Sequence, residues 1–438
     1  MKKLKLFDWE EDNFTPEVRR LEEKYSVRMR RDLQMSKLVS YVGNKDLPVL
    51  RLYRYKEAFA FYFVDKWLTR LGVTKEDLVF DPFCGMGTTL FTASCRGIPA
   101  FGIDRLPLAV FITKTLPLFL QIHPGKLSAI FEHLRALLSK VEPAPIAMDV
   151  AIMRVAFSAD TLMELRRWKT AIESLHSPFR DIFLFLFFSV LDACSYTSKD
   201  GQFLRLHRGK RVCKPEDALA RKVRNAEEDI RRIRDWGWDK TYLPFRVTVG
   251  DTRRLGDIAL GRSPTVIITS PPYANRYDYT RTYSLELCFH FVRNFPELRA
   301  LRHSMLRSHI EAKVSDCEQP SHPAVKELVE SLRIRSKQLN NPKIPDMLTA
   351  YFVDMQKAIE EWKQVLTPSA HVIMVVDNVR FEGQMLPVDL ILSEMAEQQG
   401  FTVEEIIIAR YKGNSSQQMG RYGRLPVRES VVVWRREG

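Results

Sequence analysis

Apolar runs broken by glycine, proline or charge divide this chain into alternating strand-like and helix-like pieces. Leu78-Val79-Phe80, Ala100 to Ile103, Phe245 to Val249, Val266 to Thr269 and His371 to Val376 are short and apolar, as strands buried on both faces are. Phe401 to Ala409 and Ser430 to Trp434 close the chain with two more. Between them runs helical spacing. Phe59, Phe63, Trp67 and Leu71 fall four apart, Leu162, Leu165 and Trp168 keep a helical face, and Leu90 to Cys95, Tyr351 to Leu366 and Leu386 to Gly400 read as helices. Ile182 to Leu191 is apolar throughout, too short to span a bilayer, and reads as a buried helix. The alternation predicts an α/β fold.

One junction carries more than a turn. Asp81-Pro-Phe-Cys-Gly-Met-Gly-Thr-Thr89 follows a strand and opens a helix. Gly85 and Gly87 permit a sharp turn and a close backbone approach to a ligand. The N–H groups of the following helix face a polar or anionic group there. In open α/β sheets ligands bind at the carboxyl ends of strands, where this turn would sit. A second strand ends in Asp104, a third in Gly250-Asp251, and a fourth in Thr269-Ser-Pro-Pro-Tyr273.

Composition narrows the partner. Across 438 residues, 67 Lys and Arg against 54 Asp and Glu leave a formal charge of +13, which favours a polyanion. The six cysteines form no Cys-x-x-Cys pair, so neither a zinc site nor a disulfide scaffold is expected, and a reducing cytoplasm suits them. The N-terminal Met-Lys-Lys-Leu-Lys segment lacks a signal-peptide apolar region.

The pair D-P-F-C-G-M-G-T-T and T-S-P-P-Y resembles the motifs of the DNA amino-methyltransferases, which methylate cytosine N4 or adenine N6 from S-adenosylmethionine. The resemblance implies a Rossmann-like seven-stranded methyltransferase sheet with helical insertions. It also implies S-adenosylmethionine as cofactor and double-stranded DNA as partner, with any restriction endonuclease carried on another chain. By it, Asp81, Phe83 and the turn at Gly85 and Gly87 border the methionine end of the cofactor, with Thr88 or Thr89 near its carboxylate. Asp104 would accept from the ribose hydroxyls, against the alternative of a helix cap before Pro107. Asp251 would take the adenine amine, against the alternative of a turn aspartate. Phe59 would lie near the sulfonium, against the alternative of a core residue.

The chemistry falls to Ser270, Pro271, Pro272 and Tyr273. An exocyclic amine is a poor nucleophile because its lone pair is delocalised. The Ser270 oxygen and the Pro271 carbonyl would hold it, the prolines would fix those acceptors, and Tyr273 would stack a flipped base. Ser at the first position resembles the cytosine-N4 group, with adenine-N6 the alternative. An RNA amino-methyltransferase and a non-catalytic DNA-binding protein on the same fold are further alternatives. No cysteine sits beside Pro-Pro-Tyr, against C5 chemistry.

The expected organisation is an N-terminal charged helical arm (1–37), a catalytic core (38–125 and 241–438), a helical insertion reading DNA (126–240) and a second insertion (296–345). In the first insertion Lys199, Gln202, Arg205, Arg208, Lys210 and Arg211 suit phosphate or base contact, the alternative being a solvated basic loop. Arg276, Arg281 and Arg421 are further candidates. A nuclease-like pattern at Asp346, Glu361 and Lys363 falls on a predicted helix and reads as chance.

Overall fold

Asp81 ends a three-residue strand whose every side chain is buried, and the sheet grows on both sides of it. The computed structural model describes residues 14–199, 204–312, 322–335, 339, 341–413 and 426–438. In chain order the strands are β1 (Met29–Arg31), β2 (Val79–Asp81), β3 (Ala100–Asp104), β4 (Thr197–Ser198), β5 (Arg205–Leu206), β6 (Arg246–Val249), β7 (Val266–Thr269), β8 (His371–Asp377), β9 (Val379–Phe381), β10 (Gln384–Leu386), β11 (Phe401–Lys412) and β12 (Val427–Arg436). They divide between two units, one of residues 37–270 and 277–305, the other of the described parts of 14–36, 271–276 and 306–438.

In the first unit β7, β2, β3 and β6 lie side by side, all parallel. Parallel strands need cover on both faces, which is why β2 and β7 carry no exposed residue. Helices Phe61–Arg70, Thr88–Cys95 and Pro107–Thr115 belong to this unit, and so do the long helices of the expected insertion, Ala159–Glu173, Phe179–Cys194 and Pro215–Asp235. The insertion does not stand apart. Phe185 meets Phe119 at 5.4 Å and Tyr53 at 5.9 Å, and Phe188 meets Phe111 at 5.5 Å. Ile182 to Phe188 are buried, each worth about 1.5–3 kcal/mol when withdrawn from water. The insertion falls within the first unit, and its apolar faces share one core with helices Thr88–Cys95 and Pro107–Thr115.

In the second unit β12 lies antiparallel between β8 and β11. A hairpin that the sequence pattern did not predict, β9–β10, turns at Glu382-Gly383, both with positive φ (45° and 83°), as a two-residue hairpin turn requires. Glu361 and Lys363 lie within helix Ile344–Val365, as read from the sequence. The N-terminal arm is more than the expected surface helix. After helix Pro16–Tyr25, capped by Thr15, the chain forms β1, which pairs parallel with β11. Val18, Leu21 and Tyr25 are buried, and Arg20 and Lys24 reach Glu394 at 2.6 and 2.7 Å. Strands β2, β3, β6, β7, β8, β11 and β12 are the seven of a Rossmann-like methyltransferase fold, and β1 is an eighth. Among the described residues no helix is long and apolar enough to cross a membrane.

Burial opposes ionisation of Glu394, but Arg20, His322 and Lys24 outweigh it and hold its pKa well below the usual carboxylate range. A depressed carboxylate stabilises the fold above its unfolded-state pKa and loses that contribution as pH falls. Glu394→Gln is expected to cost about 1–3 kcal/mol at pH 7 in urea unfolding, with the gap from wild type narrowing below about pH 4.3.

Candidate functional site

The carboxyl ends of β2 and β7 are tied by one side chain. Thr269 Oγ1 donates to Asp81 Oδ1 at 2.6 Å, the Phe83 N–H donates to the same oxygen at 3.1 Å, and Thr89 Oγ1 donates to the Ile268 carbonyl at 3.1 Å. Burial raises the Asp81 pKa to about 7, against those hydrogen bonds. Beyond Phe83 the turn runs through Gly85 (φ 51°) and Gly87 (φ 83°), and the helix starts at Thr88. A Cβ on Gly87 would lie 2.5 Å from the Thr113 methyl, so the turn closes only with glycine there. Thr88 Oγ1 is buried with no hydrogen-bond partner among the described residues, an open valence for a ligand atom.

Asp104 makes the contacts of a turn and helix-start residue. Oδ2 accepts from the Gly85 N–H at 2.9 Å and Oδ1 from the Leu106 N–H at 2.8 Å, just before helix Pro107–Thr115. Each oxygen keeps a second lone pair for a hydroxyl. Burial raises its pKa to about 6. Asp251 sits in the turn geometry. Arg253 N–H and Nε donate to Oδ1 at 3.0 and 2.9 Å, and an Arg253 terminal nitrogen reaches Oδ2 at 2.7 Å. Burial disfavours its charge, but Arg253 outweighs it and lowers the pKa. Phe59 is buried with its ring 5.1 Å from Phe63, the core arrangement, and its carbonyl accepts from Asn44 Nδ2 at 2.9 Å.

Ser270 directly follows β7, half-buried. In the second unit Pro271 is buried, Pro272 and Tyr273 are half-buried, and the Tyr273 hydroxyl donates to Glu429 Oε1 at 3.0 Å. Glu429 is buried on β12 and also takes Arg410 and Lys412 of β11. Lys412 Nζ stands 5.4 Å from the Tyr273 ring centroid and 3.2 Å from Asp377, the last residue of β8. Burial raises the Asp377 pKa, Lys412 notwithstanding. The orientation of Tyr273 is thus set by a charged cluster drawn from three strand ends.

No family model matches the sequence. The chain is 32% identical over 463 residues to the Type II methyltransferase M.AvaI of Nostoc sp., covering 98% of this chain and 96% of that protein. The Type II methyltransferase M.BsoBI of Geobacillus stearothermophilus is 29% identical over 481 residues, 97% and 93% of the two chains. The chain belongs to the Type II DNA methyltransferases. Among solved structures, an rRNA methyltransferase from Streptomyces viridochromogenes aligns with a TM-score of 0.31 at 12% identity, over 91% of this chain and 89% of that one.

S-adenosylmethionine is the cofactor of this methyltransferase. The residues present fit it: two glycines that let a ligand approach, an unpartnered Thr88 hydroxyl and a half-buried Asp104 with lone pairs to spare. The expected DNA contacts are placed unequally. Arg205, Arg208 and Arg211 are exposed, and Lys210 is drawn back onto the Asp192 carbonyl at 2.6 Å. Lys199 is a correction: it is buried, paired with Glu286 and 4.2 Å from the Tyr283 ring centroid, because an inward carboxylate claims it. Arg281 is exposed, 3.6 Å from Asp278. Arg276 is half-buried at φ 70°, with a buried Nε that has no partner among the described residues. Gln202 and Arg421 lie outside the described residues.

Sequence reasoning missed the residues that brace these elements. Glu57 accepts from the hydroxyls of Tyr283, at 2.6 Å, and Tyr277. Tyr283 stacks on Tyr55 at 5.0 Å and 13°, and the Tyr55 ring lies 3.3 Å from where a Gly85 Cβ would stand. Glu57 therefore braces the chain just after Ser-Pro-Pro-Tyr and, through the Tyr283–Tyr55 stack, the ring beside the glycine turn. Its only sequence signal is a carboxylate among the aromatics of Tyr53 to Phe63.

Glu57→Gln is expected to raise the KM for S-adenosylmethionine and lower kcat together, each about 3–10-fold, because each charge-assisted bond weakened is worth roughly 1.5–3 kcal/mol when lost outright; steady-state kinetics checks it. Asp81 binds more protons folded than unfolded between about pH 3.8 and 7, so its contribution is lost as pH rises through that window. Wild type should therefore lose stability relative to Asp81→Asn on going from pH 5 to pH 8, by up to about 1.4 kcal/mol per unit inside the window, read from denaturation midpoints.

Proposed function

We propose that this methyltransferase transfers the methyl group of S-adenosylmethionine to the N4 amine of a flipped-out cytosine in duplex DNA, within a restriction–modification system. The observation that carries the reading is the tie between Thr269 and Asp81, since it sets the end of β7, which Ser270 follows, beside the end of β2, which opens into the glycine turn. Ser at this position, instead of Asp or Asn, is the feature that favours cytosine N4 over adenine N6.

When bound, the cofactor supplies an electrophilic methyl on a sulfonium. The chain's own part is to make a conjugated amine nucleophilic at the right place. Two acceptors, Ser270 Oγ and the Pro271 carbonyl, draw the amine hydrogens, so that the nitrogen pyramidalises and its lone pair is withdrawn from conjugation with the ring. Two successive prolines limit backbone motion there, which matters because misplacing a reacting atom by about 1 Å can cost 10²-fold. Tyr273, steered by Glu429, offers a ring for stacking at roughly 1–3 kcal/mol per base. No group has to take a proton before displacement: the amine becomes cationic as it gains the methyl, and one N–H proton then passes to solvent water, leaving a neutral base.

Labelled S-adenosylmethionine with unmethylated duplex DNA, followed by nucleoside mass analysis, tests the reading. N4-methylcytosine is the expected product. N6-methyladenine would overturn the assignment of Ser270, label in structured RNA alone would overturn the substrate, and cofactor binding without transfer would make the chain a non-catalytic binder. Tyr273→Ala is expected to lower kcat/KM about 10–100-fold through lost stacking, and Tyr273→Phe by less, through lost orientation alone.

A further inference from the structure

Two clefts of the first unit share a wall. One, of about 330 Å³, is lined by Tyr53, Arg54, Lys199, Cys213, Arg221 and Lys222 among others. The second, of about 360 Å³, is lined again by Tyr53 and Arg54, and by Tyr41, Lys45, Tyr55 and Met86. Asp192 is the one acid in either lining among the described residues. Some of the cations are internally committed. Lys199 pairs with Glu286, and the Lys222 ammonium donates to the Leu52 carbonyl. Lys45, Arg54 and Arg221 are different: they are exposed, and none forms a salt bridge among the described residues. Two of them are held over an aromatic face, Lys45 at 5.5 Å and Arg54 at 5.9 Å from the Tyr41 ring centroid. An exposed cation kept in place without a counter-charge can neutralise an external anion with little loss of side-chain freedom.

The positions of the two clefts in the chain give the anion a direction. Lys199 and Cys213 bracket the loop that carries the exposed Arg205, Arg208 and Arg211, and both line the first cleft. Tyr55 and Met86, in the second, belong to the brace and the turn of the cofactor site. Tyr53 and Arg54 stand where the two meet. We propose that the joined clefts are a backbone track for DNA, in which Lys45, Arg54 and Arg221 take successive phosphates and lead one strand from the basic loop towards the cofactor turn. This rests on the reading of the chain as a DNA methyltransferase and adds the surface by which the duplex is held. Arg54, lining both clefts, is the central contact. Such contacts position the duplex and carry no sequence information.

The test is a salt titration of binding to a short duplex by fluorescence anisotropy, for wild type, Arg54→Ala/Arg221→Ala and Arg54→Lys/Arg221→Lys, with S-adenosylmethionine affinity measured on each. Counterion release predicts about five-fold weaker binding at 0.15 M salt for each phosphate no longer neutralised, hence about 25-fold for the double alanine variant, with the slope of log K against log salt smaller by about 2. The weakening should be the same on specific and unrelated duplexes, cofactor affinity should be unchanged, and the double lysine variant should keep the wild-type slope. An unchanged slope in the alanine variant overturns the track, as does a weakening confined to one sequence. If the alanine variant also loses the cofactor, the arm that decides is the lysine variant: a reduced slope there overturns the proposal, a retained one supports it. Wild type that binds structured RNA and no duplex DNA would instead overturn the DNA reading itself.

Discussion

The structure hangs on one buried carboxyl. Asp81 ends β2, and the hydroxyl of Thr269 and the amide of Phe83 converge on a single one of its oxygens. A side chain 2% exposed can hold that position only if its polar atoms are satisfied, because a buried acceptor left open costs about 1–3 kcal/mol. Satisfying it fixes the end of β7 against the start of the glycine turn. Everything distal follows from that alignment: the glycine turn has a rigid origin, and Ser270 has a defined point of departure. The raised pKa of Asp81 is the electrostatic signature of the same burial.

Around that tie the protein uses charge in two ways. Inside, carboxylates collect donors and become struts: Glu57 under two tyrosines, Glu429 under Tyr273, Arg410 and Lys412, and Asp389 under Arg428 and Ser430. Such clusters are specific because each member, unpaired, would be costly. Outside, cations such as Lys45 and Arg54 meet no carboxylate among the described residues and lie over the Tyr41 ring.

What could be read in the sequence is what local pattern controls. The strand–turn–helix at Asp81 to Thr89, the strand ends at Asp104 and Thr269, and the helices of the insertion all announce themselves by period and by glycine. What could not be read depends on partners far along the chain. Lys199 lies in a run of basic residues and looks like any of them, yet Glu286, 87 positions away, draws it inside. Asp251 carries the same strand-end pattern as Asp104, but Arg253 two residues on occupies it. β1 is three residues, Met-Arg-Arg, with no apolar alternation, because its ladder is made by β11 and not by its own side chains. The insertion's boundaries were invisible for a related reason: apolar helices look the same whether they build a separate core or enlarge an existing one.

The pairing of β1 with β11 has a consequence for how the protein is made. Met29 lies opposite Ile406, so β1 has no mate until β11, far later in the chain, has followed it out of the ribosome. At elongation rates of about 5–20 residues per second that delay is roughly 20–75 s. Throughout it, Val18, Leu21 and Tyr25, all buried at the end, have only water or a chaperone for company. The arm is thus a late clasp: it cannot nucleate folding, and its docking marks that the C-terminal strands have arrived.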